Sequence, residues 1–372
     1  MNIGITCYPT FGGSGIVASE LGQHLARRGH TVHFISSAMP NRLMDLGDRI
    51  FFHEVEPMNY PLFEHVPYDL ALATKMVEVA QLMELDLLHV HYAVPHSISA
   101  YLAREMVRPR RLPVVTTLHG TDITLVGRDH SYLPITRFGI QQSDGVTAVS
   151  DFLRQATLRE FCADCDIRMI PNFVDVQRVR RFFSQDIRRR FAPRGEKILV
   201  HVSNFRPVKR VEDVIRVFNR VRQEIPAVLL MIGDGVERSN AQYLVREMGI
   251  SNRVFFVGML GMVESYLSVC DLMILPSETE SFGLAALEAM ACEVPVVATR
   301  VGGLPELVIH GECGQLFEVG DIEGMAEGAL QVLDEDRLQS YRRAARRRAV
   351  EHYAADRITP LYEAFYREIL ES

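Results

Sequence analysis

The sequence predicts an α/β protein with two doubly wound domains, each built on a parallel β-sheet, facing each other across a cleft. Three observations lead to this fold class. The chain has 372 residues, which is too many for one ordinary hydrophobic core and suits two domains. Short apolar runs of strand length alternate with helical stretches in both halves. Pro171 and Asn172 interrupt this alternation near the middle, where we place the linker.

The first domain, 1–171, opens with a strand–helix–strand unit. We expect its strands at 3–7 and 31–35 and its helix at 16–28, which Gly29 ends. Further strands, predicted from apolar runs that stop at polar residues, are expected at 87–90, 114–118 and 145–149. The polar residues after such strands mark the sheet edge at which open α/β folds bind ligands.

The second domain, 172–357, repeats the same alternation. Its strands are expected at 198–202, 227–232, 254–257, 272–275 and 294–298. The last segment, 358–372, is an amphipathic helix with no strand after it. We expect this helix to pack on one of the two domains, with the first domain as the candidate.

Composition and charge exclude several classes of protein. No apolar run approaches the roughly 20 residues that cross a bilayer, and the N-terminus carries no signal-peptide pattern, so we expect a cytoplasmic protein. The net charge of −7 argues against a general nucleic-acid surface. Cys162 and Cys165 have a suggestive spacing, but without a second pair or a strand before them we expect a structural role.

A glycine-rich loop follows the first strand. Gly13-x-Gly15-x-x-Ala18 fits the dinucleotide-binding fingerprint loosely. That fingerprint also needs an acidic residue at the end of the second strand, where this chain has Ser36 and Ser37. We therefore expect the loop to offer backbone N–H groups to an anion, with a plain turn as the alternative.

Charged side chains gather at two strand ends of the second domain. Glu280 and Glu288 flank a predicted helix start, about 80° apart around the helix axis. The amides that follow Glu280 would form the positive end of that helix, although carboxylates there are also ordinary capping features. Arg206 and Lys209 follow the first strand of the domain and would suit a diphosphate leaving group.

Together these residues resemble the retaining glycosyltransferases of the GT-B fold, in the large group called family 4. The resemblance covers nearly the whole chain. It rests on Gly12-Gly13, Pro171-Asn172-x-Val174-Asp175, the basic element at 206–209 and Glu280-Ser281-Phe282-Gly283-x4-Glu288. It implies two Rossmann-like domains, of which the first binds the acceptor and the second the nucleotide sugar.

Three further segments sharpen the resemblance within that family. The segments 4–9, 89–96 and 117–124 are similar to those of members that transfer N-acetylglucosamine from UDP-N-acetylglucosamine to L-malate in bacillithiol biosynthesis. The small-molecule partners implied are therefore UDP-GlcNAc and L-malate, joined with retention. The resemblance implies no metal or other cofactor, no nucleic acid and no membrane insertion, and leaves a homo-oligomer open.

The resemblance also implies roles for single residues. For catalysis it implies His119, which would contact the donor sugar, and Glu280. For donor binding it implies Gly13, Arg206, Lys209, Ser281, Phe282, Gly283 and Glu288. For acceptor binding we expect Ser14, Tyr92, Thr121 and Arg137, although a surface ion pair would explain Arg137 almost as well. The family has an arginine where this chain has Asn204, so Arg206 must take over that role.

Other readings remain open beside this one. Another family 4 transferase with a sugar or lipid acceptor, a related epimerase and a non-catalytic nucleotide-sugar sensor would share much of the pattern. His89, His91 and His96 could be read as metal ligands, but strand-end packing or substrate contact suits them better. We discount the Asp164-Cys165-Asp166 match to a metal motif because it lies beside the linker.

Overall fold

The computed structural model describes residues 1–10, 12–43, 47–62, 64–182 and 184–372. The chain forms two compact units. Unit 1 contains residues 1–172 and 355–372, and unit 2 contains residues 173–354. The sequence prediction had placed these boundaries after 171 and 357. Both units are parallel-sheet α/β folds, as the sequence predicted.

Unit 1 is built on a seven-stranded parallel sheet with the order β3-β2-β1-β4-β5-β6-β7. Its strands are β1 Asn2–Thr6, β2 Thr31–Ser36, β3 Ile50–Glu54, β4 Leu87–His91, β5 Val114–Leu118, β6 Gly145–Ala148 and β7 Ile167–Met169. The β4 strand is buried along its whole length, and so is β5, because helices cover them. These two strands carry the polar residues that follow at the carboxyl edge.

Unit 2 is built on a six-stranded parallel sheet with the order β10-β9-β8-β11-β12-β13. Its strands are β8 Lys197–Val202, β9 Ala227–Ile232, β10 Val254–Gly258, β11 Leu272–Leu275, β12 Val296–Thr299 and β13 Gly314–Phe317. All five strands predicted for this unit are present. The sequence missed β3, β7 and β13, which are all edge strands. Edge strands need no continuous apolar run, because they have a neighbour on one side only.

Helices connect the strands, and three more follow the last strand, β13. They are α1 Gly13–Arg27, α2 Tyr68–Leu82, α3 Ile98–Met106, α4 Thr121–Thr124, α5 Leu133–Gln142, α6 Asp151–Glu160, α7 Gln185–Phe191, α8 Val211–Glu224, α9 Arg238–Glu247, α10 Glu264–Leu267, α11 Leu284–Ala291, α12 Leu304–Leu307, α13 Ile322–Leu333, α14 Glu335–Tyr353 and α15 Ala355–Glu371. Within the described ranges, none of these helices has the length and apolar character to cross a bilayer. Cys162 and Cys165 close a disulfide just after α6.

The last helix, α15, packs on α1 of unit 1. A buried carboxylate anchors it there. Glu363 accepts two hydrogen bonds of 2.8 Å from Arg28 and one of 2.9 Å from Nε2 of His30. These bonds, that from Arg28 above all, hold the pKa of Glu363 below its usual range. The helix is therefore held on unit 1 by a buried carboxylate that receives hydrogen bonds from Arg28 and His30.

Replacing Glu363 by Gln should lower the free energy of unfolding by about 1–3 kcal/mol, since hydrogen bonds to a charged group are lost. A carboxyl group whose pKa is lower in the folded state stabilises the fold at pH values above its pKa in the unfolded state. That stabilisation is lost as the pH falls through the pKa in the folded state. The contribution of the Glu363 carboxylate should therefore shrink as the pH falls below the usual pKa of 4.5. Denaturant titrations at several pH values measure it.

The matched control is Glu368→Gln on the same helix. Glu368 is exposed and pairs with Arg168 at 2.7 Å, so its loss should lower stability much less than the loss of Glu363. Equal losses in the two variants would contradict an anchoring role for Glu363.

Candidate active site

Each sheet has one point where the strand order reverses. It lies between β1 and β4 in unit 1 and between β8 and β11 in unit 2. The loops that leave two neighbouring strands there run in opposite directions, which opens a crevice at the carboxyl edge. Most of the predicted site residues lie in the loops that follow the strands at these edges, and Arg137 lies on α5.

Two histidines meet at the carboxyl edge of unit 1. His91 ends β4, and His119 follows β5 directly. Nδ1 of His91 lies 2.8 Å from Nε2 of His119, and the two rings stack with centroids 5.0 Å apart. Burial lowers the pKa of His119 to about 3 and that of His91 well below its usual value. Both rings are therefore neutral at physiological pH.

A buried carboxylate organises the loop around His119. Asp122 accepts backbone N–H groups from His119 at 3.2 Å and Gly120 at 2.8 Å through one oxygen, and from Ala93 at 3.0 Å through the other. It thereby ties the loop after β5 to the segment after β4. Burial raises the pKa of Asp122 to about 6. The sequence analysis missed this role, because an Asx turn bonds residues after the aspartate, whereas Asp122 bonds His119 and Gly120 before it.

Other predicted residues of unit 1 lie in the same loops. Tyr92 is half-buried, with its ring centroid 5.5 Å from that of His119. Thr121 is the half-buried first residue of α4. Gly13 is the exposed first residue of α1, and Ser14 beside it is buried. Their roles toward a ligand stay predictions.

Arg137 has a local explanation. It lies exposed on α5, and its guanidinium donates to the backbone carbonyl of Glu160 at 3.4 Å. That carbonyl belongs to the last residue of α6, so the contact places a cation at the negative end of a helix. This contact is with a backbone carbonyl, whereas the sequence analysis considered a surface ion pair as the alternative for Arg137. The role of Arg137 in binding the acceptor substrate stays a prediction.

In unit 2 the structure brings Lys209 and Glu280 together. Lys209 closes a short 3-10 turn, Pro207–Lys209, in the loop after β8, and Glu280 lies in the loop after β11. Their Nζ and Oε2 atoms are 2.6 Å apart, and both side chains are largely buried. The two residues are 71 positions apart in the chain and meet because β8 and β11 are neighbours.

The rest of the basic loop is more open. Arg206 and Asn204 are both exposed. Arg206 is therefore accessible for the role that the family's arginine has at the position of Asn204, and this role stays a prediction. Arg210, which the sequence analysis did not select, bonds Glu278 at 2.7 Å. The backbone N–H of Glu278 also donates to the carbonyl of Val208 at 2.8 Å. These bonds hold the loops after β8 and β11 side by side.

Helix α11 begins at Leu284, so the amides of Ser281 and Phe282 lie before the helix and not in its first turn. Gly283 precedes α11 with a φ of +98°, and Ser281 before it is half-buried. The Phe282 side chain is buried and its ring centroid lies 5.6 Å from that of Tyr353, so only its backbone can serve a ligand. Glu288 is buried on α11, five residues into the helix counting Leu284 as the first.

A glycine pair supports the backbone at Glu280. The N–H of Gly303 donates to the carbonyl of Glu280 at 2.9 Å. Gly302 has a φ of +56°, and a Cβ atom there would come within 1.8 Å of the same carbonyl oxygen. A Cβ atom on Gly303 would come within 2.4 Å of the Ser281 carbonyl. The close approach that positions Glu280 therefore requires glycine at both positions.

Gly302→Ala tests this requirement against Gly311→Ala. Both glycines have positive φ, +56° and +80°, but a Cβ atom on Gly311 would meet no atom within 4 Å. Both variants pay the left-handed strain of about 1–2 kcal/mol. Gly302→Ala should lose about 1–3 kcal/mol more because of the collision, as measured by chemical denaturation. Equal losses would show that the loop yields without strain.

Two family models match the chain. Residues 11–178 match the model of the family described as Glycosyltransferase Family 4, and residues 183–350 match that described as Glycosyl transferases group 1. The chain is 49% identical over 375 residues to the N-acetyl-alpha-D-glucosaminyl L-malate synthase of Bacillus anthracis. That alignment covers 100% of this chain and 97% of the relative.

Solved structures show the same fold at low sequence identity. The sucrose-phosphate synthase of Thermosynechococcus elongatus superposes with a TM-score of 0.82 at 22% identity, covering 100% of this chain and 99% of that one. The Anabaena protein HepE, in complex with UDP and glucose, gives 0.81 at 21% identity, covering 98% and 99%. The fold is GT-B. The chain belongs to the family 4 glycosyltransferases.

Proposed function

We propose that this glycosyltransferase moves N-acetylglucosamine from UDP-N-acetylglucosamine to the hydroxyl of L-malate, with retention at the anomeric carbon. The observation that carries the proposal is the 49% identity, along the whole chain, to a relative named for that product. On this proposal the protein catalyses the first step of bacillithiol biosynthesis.

The donor is assigned to the carboxyl edge of unit 2. A lysine ammonium has three N–H donors, and Lys209 gives one to Glu280, which leaves two for diphosphate oxygens. Arg206, three residues earlier in the same loop, is exposed and adds a second cation. Charge neutralisation by these two residues requires no metal ion. Glu280 and the amides of 281–283 would contact the sugar, and Glu288 the ribose.

The acceptor is assigned to the carboxyl edge of unit 1. Malate carries two carboxylates, which need hydrogen-bond donors and cations. Ser14, Tyr92 and Thr121 offer hydroxyl groups there, and Arg137 offers a guanidinium if it leaves the Glu160 carbonyl. A neutral His119 would contact the donor sugar near the reacting carbon without adding charge.

The proposed transfer takes place on one face of the sugar. The bond between the anomeric carbon and the β-phosphate oxygen breaks, and the malate hydroxyl oxygen bonds to that carbon from the same side. The hydroxyl proton passes to the departing phosphate oxygen, and UDP leaves. Lys209 and Arg206 would stabilise the negative charge that grows on the diphosphate.

Mixing the purified protein with UDP-GlcNAc and L-malate should release UDP and form the malate glycoside. Succinate, which lacks the hydroxyl, and L-lactate, which lacks one carboxylate, are the matched acceptor controls. UDP release by a coupled assay and the anomeric configuration by NMR measure the outcome. We expect release with malate alone and an α-linked product. Equal release with succinate indicates hydrolysis, and a β-linked product would overturn retention.

A further inference from the structure

We propose that His91 is a positioning residue which donates a hydrogen bond from its Nδ1 to Nε2 of His119 and so fixes His119 as the Nδ1–H tautomer. The role of His119 toward the donor sugar rests on the proposed function. The tautomer rests on the contacts around His91 alone. His91 has no exposed surface, and its Nδ1 lies 2.8 Å from the His119 ring nitrogen.

One proton lies between the two facing nitrogens. Each neutral imidazole carries one N–H, so two arrangements are possible. His91 can donate, which leaves its own Nε2 without a proton. Alternatively His119 donates, and His91 must then carry its proton on Nε2.

The buried Nε2 of His91 decides between them. Within the described part of the chain it has no hydrogen-bond partner. If His119 donated, His91 would leave an N–H group buried and unsatisfied. In protein interiors, orphaned N–H groups are rarer than acceptors left without a full set of partners. His91 is therefore the donor, and its Nε2 keeps a bare lone pair.

Neighbouring groups fix the position of His91. His96 donates from Nδ1 to the backbone carbonyl of His91 at 2.6 Å, which fixes the end of β4. The His91 ring also packs 4.5 Å from that of His89. Nδ1 of His89 in turn forms a 2.7 Å hydrogen bond with the hydroxyl group of Tyr366 on α15. The ring stack thus reaches from the last helix to His119.

The tautomer defines what His119 can do. Its Nε2 is occupied as an acceptor, so its remaining ring nitrogen presents an N–H donor. A neutral donor can hydrogen-bond a sugar oxygen but cannot take the proton of an acceptor hydroxyl. This leaves proton removal to the departing phosphate, as in the proposed transfer.

The test compares His91→Asn with His91→Gln. The Asn amide nitrogen is one bond from Cγ, like Nδ1 of histidine, and keeps the donor. In Gln the amide lies one methylene further from the backbone, so no donor remains at the position of Nδ1. His91→Phe removes both nitrogens and keeps a ring. Heteronuclear long-range correlations of the histidine ring nitrogens report the tautomer of His119 without any substrate.

We expect wild type and His91→Asn to hold His119 as Nδ1–H, and His91→Gln and His91→Phe to lose that single tautomer. In transfer assays, kcat should fall about tenfold in Gln and Phe variants while the donor KM changes by less than about twofold. His91→Asn should recover most of kcat. Melting curves identify a variant that fails to fold, in which case the remaining two decide.

A wild-type His119 protonated on Nε2 would overturn the proposal, and so would one tautomer shared by all variants. Correct tautomers in a protein that transfers no sugar to any acceptor would instead reject the proposed function and keep the positioning role.

Discussion

Both sheets are parallel throughout, and this order decides where the loops that follow their strands lie. In a parallel sheet every strand ends at the same edge, so each following loop delivers its side chains there. Lys209 and Glu280 follow β8 and β11, and they meet at 2.6 Å because those strands are neighbours at the reversal of strand order. His91 and His119 meet at the edge of unit 1 for the same reason, since β4 pairs with β5.

The two edges differ in electrostatic character. In unit 1, burial keeps the histidine rings neutral, and the Asp122 carboxylate is turned inward to backbone N–H groups. In unit 2, an ammonium and a carboxylate lie close to the edge, with Arg206 exposed beside them. A sugar diphosphate needs cations, which supports our proposal that the donor binds at the edge of unit 2. The proposed acceptor site in unit 1 offers hydroxyl donors, and Arg137 would supply its cation.

The sequence predicted the central strands and the fold class well because buried parallel strands are continuous apolar runs. Val114–Leu118 is an example, which the structure reproduces at both ends. It missed β13, Gly314–Phe317, because an edge strand carries a weaker pattern. The Lys209–Glu280 contact depends on strand order, which no local pattern encodes. Asp122 was overlooked because its partners are backbone groups, and two of them lie within its own loop.

The claim that the carboxyl edge of unit 2 holds the nucleotide diphosphate is tested most directly by calorimetric titration of UDP into Lys209→Met. Lys197→Met is the control, because Lys197 begins the same strand, β8, at its opposite end. Loss of charge-assisted hydrogen bonds should weaken UDP binding about tenfold to a hundredfold in the first variant and leave the second like wild type. Unchanged UDP affinity in a folded Lys209→Met protein would contradict the account.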